Sequence, residues 1–257
     1  MLFLVTNDDG YLAPGIRSLA RALEPLGEVV VVAPDREQSA TSHSLTLHHP
    51  LRVRQTAENR YHVDGTPTDC VMLAVNAILD RRPDYVFSGI NHGGNMGEDV
   101  LYSGTVSAAM EGTILGIPSL AISLVHADER KLEGYEPVVR RLVRRIVTEP
   151  ATRAFSTDTL VNINLPDREA AAVRGVRVTS LGKRVYVDPV VTDKDPHGKT
   201  YYWIGGGEPT WEGPAGTDHH AVQAGYVSIT PIQLDLTHRR VLPDLAAWEE
   251  IDLAGAE

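Results

Sequence analysis

Two adjacent carboxylates, Asp8 and Asp9, are the residues with the clearest capacity for chemistry in this chain of 257 residues. Neighbouring carboxylates repel each other, and a divalent cation offsets that repulsion; Mg²⁺ and Mn²⁺ prefer carboxylate, amide and hydroxyl oxygens. Because successive side chains of a strand point to opposite faces, both carboxylates reach one ion only across a turn, for which Gly10 supplies the backbone freedom. An ordinary solvated turn is the alternative interpretation, since Asp-Asp-Gly is common turn chemistry.

Neutral oxygen donors and histidines occur farther along the chain. Ser39 and Asn91 could complete an oxygen site around the ion, although each is also typical of a simple turn. His43 and His92 are the nearest histidines, and each is either a candidate general acid or an ordinary surface or packing histidine. No cluster of Cys and His shows zinc spacing, so a structural zinc site is not expected.

A glycine-rich stretch followed by a helix start has the composition of an anion-binding site. It consists of Asn91–Asn95 and Tyr102–Thr105. Glycines let backbone N–H groups approach an anion, and Ser103 and Thr105 can cap a helix whose N-terminus is partly positive. A long surface loop before an ordinary capped helix would have the same composition. The absence of a Walker A lysine motif and of G-x-G-x-x-G disfavours nucleoside-triphosphate motors and dinucleotide enzymes.

Buried strands alternate with amphipathic helices along most of the chain. Continuous apolar runs predict strands, and apolar positions at helical spacing predict helices. The predicted strands are Leu2–Thr6, Val29–Ala33, Tyr85–Ser88, Ser119–Ser123 and Leu160–Leu165; the predicted helices are Pro14–Leu26, Pro67–Leu79, Thr105–Leu115 and Pro137–Val147, and Leu45–Val63 is a short antiparallel excursion. This order predicts an α/β fold with a mostly parallel sheet covered on both faces.

The polar clusters follow the first three predicted strands directly. They are Asn7–Gly10, Asp35–Ser44 and Ser88–Gly97. Ligands of open α/β sheets lie beyond the carboxyl ends of the strands, and parallel strands bring those ends to one edge. We therefore expect the three clusters to form one site.

The sequence changes character after about Ser180. Residues 183–217 lack a clear period and contain five large aromatic side chains among glycines and prolines: Tyr186, Tyr201, Tyr202, Trp203 and Trp211. We expect an extended arm that buries these rings on a second subunit, with an arm folded back on its own sheet as the alternative. A strand at Tyr226–Ile232 and a helix at Pro243–Ile251 follow. The predicted division is a catalytic domain at 1–180 and a C-terminal extension at 181–257.

Composition excludes several classes of protein. Hydrophobic residues make up 42% and charged residues 23% of the chain, which excludes a disordered or fibrous protein. The net charge of −10 disfavours a long nucleic acid as partner. The single cysteine, Cys70, rules out an internal disulfide and suits a reducing cytosol. No signal peptide and no apolar run of about 18 residues is present, so we expect a cytoplasmic protein that does not enter a membrane.

Several long motifs resemble the SurE family of survival-protein-E 5′-nucleotidases. The strongest is T-N-D-D-G-Y-L-A-P-G-I at Thr6–Ile16. The others, in the same order along the chain, are Val31–Thr46, Gly65–Val71, Ser88–Gly97, Tyr102–Gly112, Tyr201–Trp203 and Gly225–Pro231.

The resemblance implies a Rossmann-like three-layer α/β/α domain and an extended, β-rich C-terminal arm used in oligomerisation. It implies a divalent-metal-dependent phosphohydrolase that acts on nucleoside 5′-monophosphates; members of the family also cleave 3′-nucleotides, and some cleave polyphosphate. Carried over residue by residue, the ligands of one Mg²⁺ or Mn²⁺ ion are Asp8, Asp9, Ser39 and Asn91. Position 43 is histidine here, whereas the family also uses asparagine.

The mechanism that we expect is metal-assisted attack of water on the phosphoryl group. Asp8 or Asp9 orients that water or accepts its proton, and His43 is the candidate general acid. The remaining phosphate oxygens are held by Asn95, Ser103, Gly104 and Thr105. An aspartyl-phosphate intermediate is a second enzymatic possibility, and a non-catalytic nucleotide or metal sensor is the alternative function. The expected assembly is a homodimer or a homotetramer.

Overall fold

The first strand, β1 (Leu2–Thr6), is buried along its whole length. Phe3 and Val5 belong to one hydrophobic core, whereas Leu2 and Leu4 belong to a second core on the other face. Side chains alternate along a strand, so burial on both faces requires the apolar run that marks this segment in the sequence.

The computed structural model describes residues 1–126, 128–148, 158–186, 190–205 and 210–251. The other strands are β2 (Glu28–Pro34), β3 (Val53–Ala57), β4 (Arg60–Val63), β5 (Tyr85–His92), β6 (Ser119–Leu124), β7 (Thr159–Leu165), β8 (Val176–Val178), β9 (Lys183–Val185), β10 (Val190–Lys194), β11 (Thr200–Ile204), β12 (Thr210–Glu212) and β13 (Val227–Gln233). The helices are α1 (Pro14–Leu23), α2 (Pro67–Leu73), α3 (Gly104–Ile114), α4 (Glu129–Thr148), α5 (Asp218–Gln223) and α6 (Leu242–Leu245). Shorter helical segments are the π-helix Ala74–Ile78 and the 3₁₀ segments Gly97–Leu101, Ala170–Ala172 and Ala246–Glu250.

Nine strands form the central sheet in the order β3-β4-β2-β1-β5-β6-β7-β13-β8. The six strands from β4 to β7 are parallel, and β13 runs antiparallel to β7. The chain moves from β1 to β2 on one side and later returns to place β5 on the other side of β1. The order therefore reverses between β1 and β5, which is where open α/β sheets form their binding crevice.

Helices cover both faces of this sheet. Helices α1 and α4 pack together on the face that carries Phe3 and Phe87, and α2 and α3 pack on the face that carries Leu4 and Val86. The predicted three-layer α/β/α arrangement with a mostly parallel sheet is confirmed.

Helix α4 begins earlier than the sequence predicts. We expected it to start at Pro137, but it starts at Glu129 and contains Pro137 in its interior. An interior proline removes one helical hydrogen bond and costs about 3 kcal/mol. Leu132 and Tyr135 precede it and are fully buried, and the Tyr135 hydroxyl donates to the Pro166 carbonyl at 2.8 Å. Tertiary burial thus stabilises the turns before the proline.

Strand β5 is longer than predicted and continues past Ser88 to His92. The pairing of β5 with β6 shifts register between Gly89 and Asn91. Gly89 has a φ of +132°, and a Cβ there would lie 2.1 Å from the Ile122 carbonyl oxygen, so only glycine fits. Asn91 consequently lies near the end of strand β5. We had expected it on a loop.

The C-terminal part of the chain contributes to the central sheet and also forms two small sheets of its own. Strand β13 joins the central sheet, while β9 pairs with β12, and β10 pairs with β11 as an antiparallel hairpin. The segment expected to form an arm therefore consists of a two-stranded base, β9 with β12, and a hairpin, β10 with β11. Helix α5 and strand β8 were not predicted, and the expected terminal helix is the short α6 followed by the 3₁₀ turn at Ala246–Glu250.

Substitution by alanine should have different effects on stability at two helical glycines, Gly15 and Gly134. A Cβ on Gly15 of α1 would lie 1.9 Å from the Ile90 carbonyl oxygen of β5, whereas the nearest heavy atom to one on Gly134 of α4 is 4.0 Å away. Gly15→Ala should reduce the free energy of unfolding by about 2 kcal/mol or more, because a backbone must move. Gly134→Ala should leave it unchanged or raise it by up to about 1 kcal/mol through helix propensity. Thermal unfolding measures both, and equal effects of the two variants would contradict the close packing of α1 on β5.

Candidate active site

The turn after β1 holds Asp8 against the N-terminus of α3. The Asn7 side chain donates to the Gly10 carbonyl at 2.9 Å and closes this turn. Asp8 is only 4% exposed, and the Thr105 hydroxyl donates to its Oδ1. A Cβ on Gly104 would lie 2.8 Å from the Cβ of Asp8, so glycine at this position permits the close approach.

The two carboxylates of this turn are short of positive charge. Burial raises the pKa of Asp8 to about 6, and the charge of Asp9 adds to the rise, while the hydrogen bond from Thr105 lowers it. Burial also raises the pKa of Asp9. Among the described residues, no Lys or Arg forms an ion pair with either carboxylate. A bound cation would supply the missing charge.

The neutral donors of the predicted ion site lie beside Asp8. Ser39 and Asn91 line the same cavity of about 640 Å³ as Asp8. The Asn91 amide nitrogen donates to the Gly93 carbonyl at 2.8 Å, which leaves the Asn91 Oδ1 as the atom for a cation. The Ser39 hydroxyl donates to Glu37 at 2.8 Å, and its lone pairs can still accept.

Asp9 is placed differently from the other three predicted ligands. Its Oδ2 accepts a hydrogen bond of 3.2 Å from the backbone N–H of His92, at the end of β5. It is half-buried and is not one of the described residues that line the cavity. The structure therefore brings Asp8, Ser39 and Asn91 together around one space and ties Asp9 to the rim through β5.

The start of α3 offers backbone donors close to Asp8. The Ser103 hydroxyl accepts from the Val106 N–H at 3.1 Å, and the helical ladder begins with the Ser107 N–H donating to the Ser103 carbonyl at 3.0 Å. The N–H groups of Gly104 and Thr105 precede this ladder and belong to the unpaired first turn of the helix. The hydroxyl and the backbone N–H of Thr105 both bond to Asp8, so the Gly104 N–H is the backbone donor left for an anion.

Asn95 lies in a buried network of amides. Its backbone carbonyl accepts from Asn162 at 2.8 Å and from Asn164 at 2.9 Å, and its side-chain nitrogen donates to Ser123 at 2.8 Å. One amide hydrogen of Asn95 therefore remains for a phosphate oxygen. We did not anticipate this network, although two asparagines at alternate positions of the apolar strand V-N-I-N-L indicate a polar contact on one face.

The two candidate histidines have different surroundings. His92 lines the cavity, whereas His43 is not among the described lining residues. The His43 Nε2 lies 3.0 Å from a carboxylate oxygen of Glu111 on α3. The expected proton donor is thus turned toward a helix side chain that we had not considered.

The base of the C-terminal arm forms a cavity wall that we also missed. Arg184 and Tyr186 line the cavity together with Tyr102 and Asp99, and both the Arg184 guanidinium and the Tyr186 hydroxyl bond to Asp99. We had assigned this segment to subunit contacts alone. Arg184 and Tyr186 stand in a segment without a regular sequence pattern. Nothing in the sequence therefore indicated that they contact the loop that contains Asp99.

The donor set is that of a hard cation. Within the part of the chain that the structure describes, no three His, Cys, Asp or Glu side chains cluster to hold a metal. An ion beside Asp8 would therefore bind a mixture of carboxylate, amide and hydroxyl oxygens. This mixture favours Mg²⁺ or Mn²⁺ over zinc.

Comparison with known proteins identifies the family. The family model of the survival protein SurE matches residues 3–188. The chain belongs to the SurE family. A 5′-nucleotidase SurE from Gemmatimonas aurantiaca is 55% identical over 251 residues, which cover 96% of this chain and 98% of that protein. A 5′-nucleotidase SurE from Geobacter metallireducens is 52% identical over 249 residues, which cover 97% of this chain and 98% of that protein.

A solved SurE structure has the same architecture. The crystal structure of the SurE protein from Aquifex aeolicus matches with a TM-score of 0.85 at 44% identity, covering 97% of this chain and 100% of that chain. The expected family and α/β fold are confirmed, and membership of the SurE family implies dependence on a divalent metal. Of the helices in the described ranges, none is long and apolar enough to cross a membrane.

The raised pKa of Asp8 predicts that metal-free protein loses stability as the pH rises. A carboxyl with a pKa of about 6 when folded and 3.8 when unfolded stabilises the fold below both values and loses that contribution as the pH passes 6. The loss amounts to about 3 kcal/mol. Asp8→Asn should therefore raise the melting temperature in chelator by several degrees near pH 8 and by less than half as much near pH 4.5.

The control for this measurement is Asp80→Asn, which removes an exposed carboxylate and should leave the melting temperature unchanged at both pH values. An equal shift of the Asp8→Asn variant at both pH values would show that burial of the Asp8 charge does not govern this stability.

Proposed function

We propose that this SurE-family protein is a divalent-metal-dependent 5′-nucleotidase that releases phosphate from nucleoside monophosphates. The observation that carries the proposal is the placement of Asp8, Ser39 and Asn91 in one cavity with Ser103, the N-cap of α3. A cation site beside a helix N-terminus suits a phosphate group, because the cation and the partly positive helix end each attract the phosphate oxygens. The relatives named above, which match over nearly their whole length, support the same activity.

Asp8, Asp9, Ser39 and Asn91 are the residues that we propose to hold one Mg²⁺ or Mn²⁺ ion. Asp8 fits this role because it is buried without a cationic partner, and Asn91 fits because its amide oxygen is left free. A bound divalent ion offsets charge on the phosphoryl group. Because both carboxylates serve as ligands, we favour direct hydrolysis over an aspartyl-phosphate.

The remaining residues position the phosphate and the water. The backbone N–H of Gly104, the Ser103 hydroxyl and the second amide hydrogen of Asn95 donate to phosphate oxygens, and Thr105 holds Asp8 beside them. Asp8 or Asp9 orients the attacking water or accepts its proton. Positioning and charge neutralisation supply most of the rate in phosphoryl transfer.

The nucleoside occupies the outer part of the cavity in this proposal. Its volume of about 640 Å³ is in the range typical of small-molecule sites. Tyr102 and Tyr186 present aromatic rings on its walls, and stacking on a base tolerates different bases because each has a π face. We extend the proposal to a cytoplasmic location, since a buried free thiol at Cys70 suits a reducing compartment.

Loss of the ion or of a carboxylate should abolish turnover of a nucleoside 5′-monophosphate. We expect chelator to remove phosphate release and Mg²⁺ or Mn²⁺ to restore it. Asp8→Asn and Asp9→Asn should each lower kcat/KM more than a hundredfold, which corresponds to about 2.7 kcal/mol in the barrier. Ser39→Ala and Asn91→Ala should raise the metal concentration needed for half activity with little change in melting temperature. Full turnover in chelator would rule out the metal site.

We also propose that the β10–β11 hairpin joins subunits in a homodimer or homotetramer. Tyr202 and Trp203 are 66% and 65% exposed on this hairpin, and Ile204 is 93% exposed. Trp211, by contrast, stacks on His219 of the same chain at 4.3 Å. Exposed aromatic and aliphatic side chains on a projecting hairpin favour burial against another copy.

Replacing residues 190–203 with a short Gly/Ser linker, which keeps the cavity-lining Ile204 and Gly205, should reduce the molecular mass measured by light scattering. The two-stranded base of β9 and β12 stays in this variant, so the cavity wall at Arg184 is retained. Tyr202→Ser combined with Trp203→Ser is the milder variant and should shift the mass in the same direction at low protein concentration. Retention of the parental mass by the linker variant would show that the hairpin does not hold the subunits together.

A further inference from the structure

The loop that carries Ser39 contains two strained backbone positions. Ala40 has a φ of +58° and Ser42 a φ of +54°, in the left-handed region that non-glycine residues disfavour. Such conformations persist where the surrounding structure over-determines them. Ser39 precedes the first of these residues, so the position of its hydroxyl depends on whatever holds the loop.

Hydrogen bonds on both sides of Ser39 hold this loop to the site. Before it, the Gln38 N–H donates to the Asp8 carbonyl at 2.7 Å. After it, the Ser42 N–H donates to the Tyr102 carbonyl at 3.2 Å, and the Ser42 hydroxyl donates to the Leu101 carbonyl at 2.7 Å. The loop is thus fixed at one end to the turn of the carboxylates and at the other end to the segment that leads into α3.

The next residue, His43, contacts a buried side chain of α3. Its Nε2 lies 3.0 Å from Oε2 of Glu111, whose side chain is only 4% exposed. A buried carboxylate needs a polar partner, which gives this pair more weight than an ion pair at the surface. Glu111 belongs to α3, the same helix whose Thr105 donates to Asp8. One rigid helix therefore fixes both the Asp8 carboxylate and the far end of the Ser39 loop.

We propose that His43 is a positioning residue for the metal site and that Glu111 is its anchor. The Glu111 contact holds the strained loop so that the Ser39 hydroxyl stays beside Asp8. This inference rests on the proposed function, in which Ser39 is a ligand of the ion. It replaces the expectation that His43 is a general acid, because its ring nitrogen is directed to Glu111 and it lies outside the residues that line the cavity.

A second contact of the loop limits the expected effect of a His43 substitution on the loop structure. Farther along the loop, the Thr46 N–H and hydroxyl donate to the two oxygens of Asp69 at 2.9 and 2.6 Å. The loop therefore remains attached in a His43 variant, although its strained part is freer to relax. We expect a weakened metal site rather than an unfolded protein.

Calorimetric titration of the metal-free full chain with Mn²⁺ tests this inference without a substrate. His43→Ala should raise the Mn²⁺ dissociation constant about tenfold, equivalent to about 1.4 kcal/mol. His43→Gln should recover most of the affinity, because its amide nitrogen can donate to Glu111 as Nε2 does. His48→Ala changes an exposed histidine of the same loop region and should bind Mn²⁺ as the parent does. Ser42→Ala removes a separate contact of the loop and should raise the constant about threefold, which keeps the test open if His43→Ala does not fold.

Kinetics with a nucleoside 5′-monophosphate then separates the possible roles of His43. A positioning role predicts that kcat of His43→Ala returns to within about twofold of the parent at saturating Mn²⁺, since only ion binding is weakened. A deficit in kcat that persists at saturation would assign His43 to proton transfer and overturn the inference. A lower melting temperature with unchanged Mn²⁺ affinity would also overturn it.

The proposed metal site and this inference fail in different ways. If Ser39→Ala weakens Mn²⁺ binding and His43→Ala does not, the metal site stands and the positioning role falls. If the parent protein binds no Mn²⁺ at all, the proposed metal site falls and the inference falls with it.

Discussion

The contact between a buried carboxylate and the first turn of a helix organises this protein. Asp8 sits where β1 ends, and α3 starts against it because Gly104 has no side chain to keep the two apart. The partly positive helix end and the Thr105 hydroxyl stabilise the carboxylate, yet its pKa remains raised by burial. The protein alone does not supply enough positive charge for this carboxylate. The arrangement therefore suits a site that binds a cation together with a phosphate.

The switch in strand order explains why the other residues can reach this contact. Because β5 lies next to β1, the end of β5 brings Asn91 to the carboxylates, and the loop after β2 arrives from the other side with Ser39. The site thus combines three segments that are far apart in the chain. It also contains buried charge and left-handed backbone, both of which oppose stability and both of which are common where geometry serves binding.

Residues from the C-terminal part of the chain line the same cavity as Asp8. The buried carboxylate of Asp218 accepts hydrogen bonds of 2.9 Å from the backbone N–H groups of Gly97 and Gly182. This joins the segment after β5 to the base of the arm, where Arg184 lines the cavity. The hairpin that we propose for subunit contacts therefore continues from a wall of the candidate active site.

Features that depend on neighbouring residues could be predicted from the sequence. The apolar runs located the parallel strands, and the helix predicted from Pro67 does begin there, where Thr66 and Asp69 form a reciprocal capping box. The carboxylate pair and the two neutral oxygen donors could be named as candidate ligands from the sequence, because ligand chemistry and turn formation are local properties. Two features depend on tertiary packing and could not be predicted: Pro137 lies inside a helix, and β5 continues through Gly89. The tertiary structure alone paired His43 with Glu111 and placed Arg184 on the cavity wall, since these contacts join residues distant in the chain, and no local pattern encodes which segments fold together.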